Sequence, residues 1–148
     1  MSEENNTDFL ENIDLTGVDT SMPVLRDGQI VEMVLDKGEV KTSMKPGKEG
    51  NKNLFLTFKT LGVTISDAGI ELNAGFPIRD IVSLTETANY DPTKNLARIQ
   101  EAILGEKRNG FRLSDLAQKP FKAVVKVEES TDFGKQNRIK FIHKDKQG

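Results

Sequence analysis

Ile30-Val-Glu-Met-Val-Leu-Asp-Lys-Gly-Glu-Val40 is the stretch that decides the fold of this 148-residue chain. Three of its apolar residues, Val31, Met33 and Leu35, share one parity, the period-two pattern of a β-strand with one buried face. After Gly38 the apolar position, Val40, has the opposite parity. A strand changes its buried face only where an extra residue is inserted, and glycine best tolerates the backbone angles required. The pattern therefore predicts one long, bent strand with a bulge near Gly38.

A loop and two further apolar segments follow this strand. Residues 42–53 are rich in Gly, Pro, Asn and Lys, which predicts a loop. The next residues predict a second strand, with Leu54, Leu56 and Phe58 facing inward and Phe55, Thr57 and Lys59 facing outward. Residues 63–84 are less regular, and we interpret them as a third strand with a hairpin extension.

The second half of the chain predicts a helix and two more strands. Asp91-Pro92 is an N-cap followed by proline at the first helical position, and Gly105 ends the apolar repeat that follows. Residues 113–118 predict a short helical turn that stops before Pro120. Two alternating segments, 121–127 and 138–142, then predict a hairpin whose loop runs from Glu128 to Gln136.

The element order is three strands, one helix and two strands, which is the order of the OB-fold. The sequence thus predicts a mainly β protein with one helix: a five-stranded OB-fold Greek-key barrel with a bulged first strand. Residues 26–148 form this domain. Residues 1–25 form an acidic leader, which we expect to be disordered or extended because it is polar and lacks a sustained period.

Charge and composition exclude several classes of protein. The net charge is −2, but the leader carries −6 without any Lys or Arg, so residues 26–148 carry +4. The absence of Cys excludes thiol chemistry and Cys-ligated zinc, and the single histidine, His143, excludes multi-histidine sites. No signal peptide or membrane span is evident, so we expect an intracellular protein.

Six segments carry a resemblance to a known family of proteins: Leu25-Arg-Asp-Gly28, Gly38-Glu-Val-Lys-Thr42, Asn53-Leu-Phe-Leu-Thr57, Leu96-Ala-Arg-Ile-Gln-Glu-Ala102, Phe111-Arg-Leu-Ser-Asp-Leu116 and Gln136-Asn-Arg-Ile139. The resemblance is to the small single-stranded-DNA-binding proteins of tailed bacteriophages, and it covers most of the chain. It implies a role in phage DNA replication or recombination, in the host cytoplasm, with replication or recombination proteins as further partners. A monomer and a homo-oligomer both stay open.

One feature departs from the pattern of that family. Such proteins often end in an acidic tail that recruits partners, whereas this chain ends His143-Lys-Asp-Lys-Gln-Gly148. The acidic leader has similar chemistry at the opposite end, so Phe9 and Leu10 are the candidate partner-binding residues.

A groove for single-stranded DNA needs cations for the phosphates and exposed aromatic rings for the bases. Phe55 is the leading aromatic candidate, although a phenylalanine covered by the leader or a neighbouring loop is an equal alternative. Phe133 is a second aromatic candidate at the tip of the last hairpin. The cationic candidates are Lys41, Lys45, Lys48, Lys52, Lys59, Arg79, Lys122, Lys126, Lys135, Arg138 and Lys140.

These residues predict a cofactor-free, non-enzymatic protein that binds single-stranded DNA. Gly47-Lys-Glu-Gly50 has the spacing of a KH-domain clamp, but it lies between strands and is interpreted as a loop. The first alternative function is a protein-binding β-barrel, a virion or inhibitor component with no nucleic-acid role. The second is an enzyme with a carboxylate-bound metal, which ranks last because adjacent carboxylates such as Glu128 and Glu129 point to opposite faces of a strand.

Overall fold

A computed structural model describes residues 13–14, 16, 23–130 and 134–147. The chain is mainly β, with one main helix and a sheet of five antiparallel strands. The sheet strands are β1 (Gln29–Thr42), β2 (Lys52–Thr60), β5 (Pro77–Ser83), β6 (Phe121–Ser130) and β7 (Gly134–Phe141). Across the sheet they lie in the order β5-β2-β1-β6-β7. This arrangement confirms the predicted order of strands and helix.

Four smaller elements connect and cover the sheet. They are a hairpin of β3 (Thr64–Ile65) and β4 (Glu71–Leu72), the helices α1 (Pro92–Leu104) and α2 (Leu113–Leu116), and a 3₁₀ turn, Lys144–Lys146. The hairpin corresponds to the extension predicted before the third sheet strand. Within the described residues, neither helix has the length and apolar character that crossing a bilayer requires.

Strand β1 changes its buried face in the middle, as its sequence predicts. Its pairing with β2 shifts register between Leu35 and Lys37, so Asp36 is the extra residue of a β-bulge. Before the bulge Val31, Met33 and Leu35 are buried in the core, and after it Lys37 and Lys41 are exposed. Val40 shares the inner face with its partner Leu54, but it is 52% exposed and not buried as its pattern predicts. The bulge therefore lies two residues before Gly38.

The reason for a glycine at position 38 differs from the predicted one. The backbone of Gly38 does not adopt a left-handed conformation, so the bulge does not require its conformational freedom. A Cβ atom at this position would instead lie 2.7 Å from Leu113 Cδ1 and 3.2 Å from Leu56 Cδ2. Gly38 allows α2 to pack closely against β1.

The hydrophobic core lies between the inner face of the sheet and α1. The rings of Phe58, Phe121 and Phe141 contact one another, with centroids 5.6 to 6.1 Å apart. Leu25 is fully buried in this core, and its backbone is held by the Asn137 amide, which donates to Leu25 O at 3.0 Å and accepts from Leu25 N–H at 2.8 Å. The last residue of the predicted leader thus packs against the sheet.

Helix α1 begins and ends as the sequence predicts. The Asp91 side chain accepts a hydrogen bond from Thr93 N–H, and Gly105 ends the helix in a left-handed conformation. The 3₁₀ turn was not predicted. Its first residue and the residue after it cap the carboxyl end of α1: Lys144 Nζ donates to Ile103 O and Gln147 Nε2 donates to Ala102 O.

The predicted bounds of the last hairpin were wrong. The strands continue through Ser130 and resume at Gly134, so the connection is shorter than the predicted loop from Glu128 to Gln136. Polar residues in this segment continue the β-ladder, as in the pair Glu129 and Lys135.

The sheet is not closed, because β5 and β7 are its two edges and no ladder joins them within the described part of the chain. The buried carboxylate of Asp80 on β5 bridges these edges. One oxygen accepts from Ile139 N–H at 3.1 Å, and the other accepts from Arg138 Nη1 at 3.1 Å and Ile81 N–H at 2.8 Å. We call this open boundary between β5 and β7 the seam.

Gly38→Ala is expected to lower the free energy of unfolding by about 1 kcal/mol, because the added methyl group overpacks the contact between Leu113 and β1. Urea denaturation monitored by circular dichroism measures the change. Gly62→Ala is the matched control, because Gly62 lies in open space and has ordinary backbone angles. Gly47 does not serve, because its backbone is left-handed. Equal stability of Gly38→Ala and Gly62→Ala would contradict this account of Gly38.

Asp80→Asn is expected to destabilise the protein by about 2 kcal/mol, because the carboxamide NH2 group would face N–H donors, whereas both carboxyl oxygens can accept hydrogen bonds in either protonation state. Burial raises the pKa of the Asp80 carboxyl despite its hydrogen bonds. Its stabilising contribution is thus fully present below the ordinary aspartate pKa, about 4, and decreases as the pH rises through the folded-state pKa. Urea denaturation should therefore show a larger difference from wild type at pH 3 than at pH 7, and the reverse order would contradict the assignment.

Candidate nucleic-acid interface

Phe55 lies at the centre of the outer surface of β1, β2 and β5. It is half-buried, and its neighbours on the two flanking strands are Glu39 on β1 and Ile81 on β5. Directly paired residues project from the same face of a sheet, so Glu39 and Ile81 flank the ring. Ile81 is 43% exposed and extends the apolar surface of the ring.

One cation lies against the ring of Phe55, and two more lie in the next row of the sheet. Lys41 Nζ lies 5.2 Å from the centroid of Phe55, within the range of a cation–π interaction, and 3.9 Å from Glu39. In the next row across the sheet, Lys37, Thr57 and Arg79 are paired neighbours, and both Lys37 and Arg79 are exposed. We call this surface the Phe55 face; its members are Lys37, Glu39, Lys41, Phe55, Thr57, Arg79 and Ile81.

The loop between β1 and β2 presents further lysines beside the Phe55 face. Its base is closed by hydrogen bonds from Ser43 N–H to Asn51 O at 2.7 Å and from Gly50 N–H to Ser43 O at 3.2 Å. Lys45 and Lys48 are exposed on this loop. Lys52 is exposed where β2 begins, but it shares the parity of Leu54 and so projects from the sheet face opposite to Phe55. The loop therefore carries Lys45 and Lys48 at one end of the sheet.

Four predicted cationic residues form ion pairs; one is Lys41, which pairs with Glu39, and the other three are Lys59, Lys135 and Arg138. Lys59 Nζ lies 3.6 Å from Asp36, and Lys135 Nζ donates to Asp67 at 2.7 Å, an interaction that raises the pKa of Lys135. Arg138 donates to both Asp80 and Glu128 at 3.0 to 3.1 Å. These pairs reduce the charge available to a ligand.

The remaining predicted cations lie on the outer surface of β6 and β7. Lys122 is exposed opposite Glu32, Lys126 is exposed opposite Arg138, and Lys140 is exposed opposite Val124. The strands pair as predicted, but Arg138 within this patch is neutralised by two carboxylates. Phe133, Phe9 and Leu10 lie outside the described residues.

Four residues of the Phe55 face were not among the predicted site residues: Lys37, Glu39, Thr57 and Ile81. The signal for Lys37 was present, because a bulge before Gly38 turns residue 37 outward together with Lys41. The spacing of Ile78, Ile81 and Val82 is irregular, so it did not reveal that Ile81 faces away from the core.

Two grooves flank helix α1. One has a volume of about 380 Å³ and lies between α1 and residues 107–111. The other has a volume of about 660 Å³ and lies along the seam, between β5, β7 and α1. We call the second one the seam groove. Within the described residues, no three acidic or histidine side chains cluster as a metal site would require.

Comparison of the chain with family models, curated proteins and solved structures gave no significant match. The resemblance to phage single-stranded-DNA-binding proteins therefore remains a prediction. The geometry of the Phe55 face is the basis of the proposed function.

Arg138→Ala is expected to lower the free energy of unfolding by about 2 kcal/mol, because it removes a charged partner from the buried Asp80 carboxylate. The matched control is Lys126→Ala, the exposed cation directly opposite on β6, which should change stability by less than about 0.5 kcal/mol. Urea denaturation of the two variants measures the difference. If both variants unfold at the same urea concentration, Arg138 has no structural role at the seam.

Proposed function

We propose that this protein binds single-stranded DNA with little sequence specificity, by base stacking on Phe55 and by cation contacts to phosphates. The observation that carries the proposal is an aromatic ring on an exposed strand face, with Lys41 over the ring and Arg79 in the adjacent row. Each base has a π-face, so stacking on an aromatic side chain works for any sequence. The lysines contact a backbone that is identical at every nucleotide.

The connectivity of the sheet supports an OB-fold. The third and fifth sheet strands, β5 and β7, are the edges, the helix precedes the fourth, and β1 carries the bulge. We infer a partly open Greek-key barrel in which the Asp80 bridge stands in for a ladder at the seam. OB-folds bind oligonucleotides on the face of their second and third strands and on the loop between the first two, which are the positions of Phe55, Ile81 and the lysine-rich loop.

The distribution of charge favours a flexible single strand over duplex DNA. Bases in a duplex are stacked on one another, so Phe55 reaches a base face only where the bases are unpaired. Glu39 lies beside the ring and limits the positive charge of the face, so phosphate attraction alone is modest. A strand that supplies both bases and phosphates therefore gains most from this surface.

The biological setting of the proposal comes from the resemblance to phage proteins. It implies that the protein coats and protects unwound DNA during phage replication or recombination, in the cytoplasm of the infected cell. Replication or recombination proteins are then its further partners, and the acidic leader with Phe9 and Leu10 is the segment proposed to contact them.

One observation favours a second candidate function, a protein-binding β-barrel. Ile30, Leu61 and Val63 are 66%, 41% and 64% exposed, and the backbone after β2 runs beside the start of β1 because Leu61 N–H donates to Glu32 O. An exposed apolar group of this kind is typical of a protein contact. A binding assay with an oligonucleotide distinguishes the two candidate functions, because a protein contact through these apolar residues requires no nucleic acid.

Phe55→Ala is expected to raise the dissociation constant for fluorescein-labelled oligo(dT) about tenfold, because truncating a stacked aromatic costs roughly 1–3 kcal/mol. Fluorescence anisotropy at low salt measures the change. Phe55→Trp, which keeps a ring, should retain most of the affinity. Ile30→Ala, which truncates an exposed apolar residue elsewhere on the sheet, should bind like wild type. Absence of oligo(dT) binding by the wild-type chain at low salt would overturn the proposal.

A further inference from the structure

The seam groove combines an apolar floor with a cationic rim. Its floor is formed by core residues of three elements: Val82, Ile99, Ile139 and Phe141. Exposed Arg98 of α1 and Lys140 of β7 line it, and among the described residues neither forms an ion pair. Its volume of about 660 Å³ lies in the range of roughly 300–1,000 Å³ that is typical of ligand sites.

The seam groove is continuous with the Phe55 face through Ile81. Ile81 is the β5 neighbour of Phe55, and it also lines the groove. A chain that passes over the ring of Phe55 and across Ile81 therefore reaches Lys140 and Arg98 without leaving the surface. Ile81 thus belongs to both surfaces and connects them.

One wall of the groove is polar and held by hydrogen bonds. Tyr90 Oη donates to Ser83 O at 2.8 Å and accepts from Asn95 Nδ2 at 3.0 Å. This pair of bonds orients the amide of Asn95, whose Oδ1 accepts no hydrogen bond within the described part of the chain. The wall therefore offers an acceptor to an N–H group of a ligand.

We propose that the seam groove is a second nucleotide subsite for the same DNA strand. It takes one base against its apolar floor, beside Asn95, and the adjoining phosphate between Arg98 and Lys140. This inference rests on the proposed function and extends it, because it specifies the path that the bound strand follows from Phe55 toward α1. It also assigns to Arg98 a role that the sequence did not suggest.

A nucleotide explains the groove better than a peptide strand added to a sheet edge. Asp80 already occupies the Ile139 N–H on the edge of β7 and the Ile81 N–H of β5, so a peptide would lack these donors. The two rim cations instead match an anionic backbone. A base also needs only the apolar floor and one acceptor, both of which are present.

The test compares the variants Arg98→Ala and Lys94→Ala of the full chain with oligo(dT) of four and twelve nucleotides. Lys94 is the matched control, because it is exposed on the same helix one turn earlier and lines the other groove. For the twelve-mer, Arg98→Ala should raise the dissociation constant about fivefold and reduce the salt slope by about 0.7, the loss of one phosphate contact. Lys94→Ala should change it less than about twofold, because Lys94 lines the other groove and lies outside the proposed path of the strand.

Length dependence separates this subsite from general electrostatics. A four-mer can bind the Phe55 face in registers that leave the groove empty, whereas a twelve-mer covers both surfaces. Arg98→Ala should therefore weaken binding of the four-mer much less than binding of the twelve-mer. Photocrosslinking of a twelve-mer that contains 4-thiothymidine should also attach the DNA to Tyr90 or Phe141. Equal effects of Arg98→Ala and Lys94→Ala, or equal effects on both oligonucleotide lengths, would overturn the inference.

The Phe55→Ala variant distinguishes failure of the subsite from failure of the proposed function. If Phe55→Ala weakens binding while Arg98→Ala behaves like Lys94→Ala, only the seam subsite is wrong. If Phe55→Ala binds both oligonucleotides as wild type does, the proposed function is wrong as well.

Discussion

The β-bulge at Asp36 is the constraint on which the fold and the candidate site both depend. Before it, alternate residues of β1 fill the core; after it, the same parity presents Lys37 and Lys41 to solvent. Because Phe55 projects from the outer face of β2, the bulge brings lysines and an aromatic ring to the same surface. A regular strand would turn these lysines toward Leu56 and Leu113, where burying an unpaired charge is costly. The bend that accompanies a bulge also suits a curved sheet whose edges meet at the Asp80 bridge.

The fold also determines which charged side chains form ion pairs and which are exposed. Several carboxylates neutralise cations that hold parts of the fold together, as Asp80 does for Arg138 at the seam and Asp67 does for Lys135. Exposed cations lie on the Phe55 face, on the first loop and at the rim of the seam groove, and others lie elsewhere on the surface, among them Lys94, Lys107, Arg112, Lys119, Lys122 and Lys126. A body charge of only +4 is therefore compatible with a locally cationic path, and the whole-chain charge of −2 is a poor guide to the ligand.

Local sequence signals predicted most of the fold and part of the candidate site. Alternation identified β1, β2, β6 and β7, Asp91-Pro92 identified the helix start, and the change of parity in β1 identified the bulge, because each is encoded within a few residues. Long-range contacts were not predictable in this way. Arg138 looked like a free cation because its partner Asp80 is 58 residues away in the chain, and Arg98 and Ile81 acquire their positions only when the seam forms. The purpose of Gly38 was also missed, since Leu113 approaches it from a distant segment.

The central claim is that a single strand of DNA lies across the Phe55 face and continues toward the seam. Amide chemical-shift mapping by ¹H–¹⁵N NMR, with oligo(dT) added to the uniformly labelled full chain, tests it most directly. The account predicts that the largest shifts occur at residues 37–41, 54–57 and 79–81, and that residues 95–98 and 140 shift only with longer oligonucleotides. Shifts confined to Ile30, Leu61 and their neighbours, or spread evenly over every exposed lysine, would contradict it.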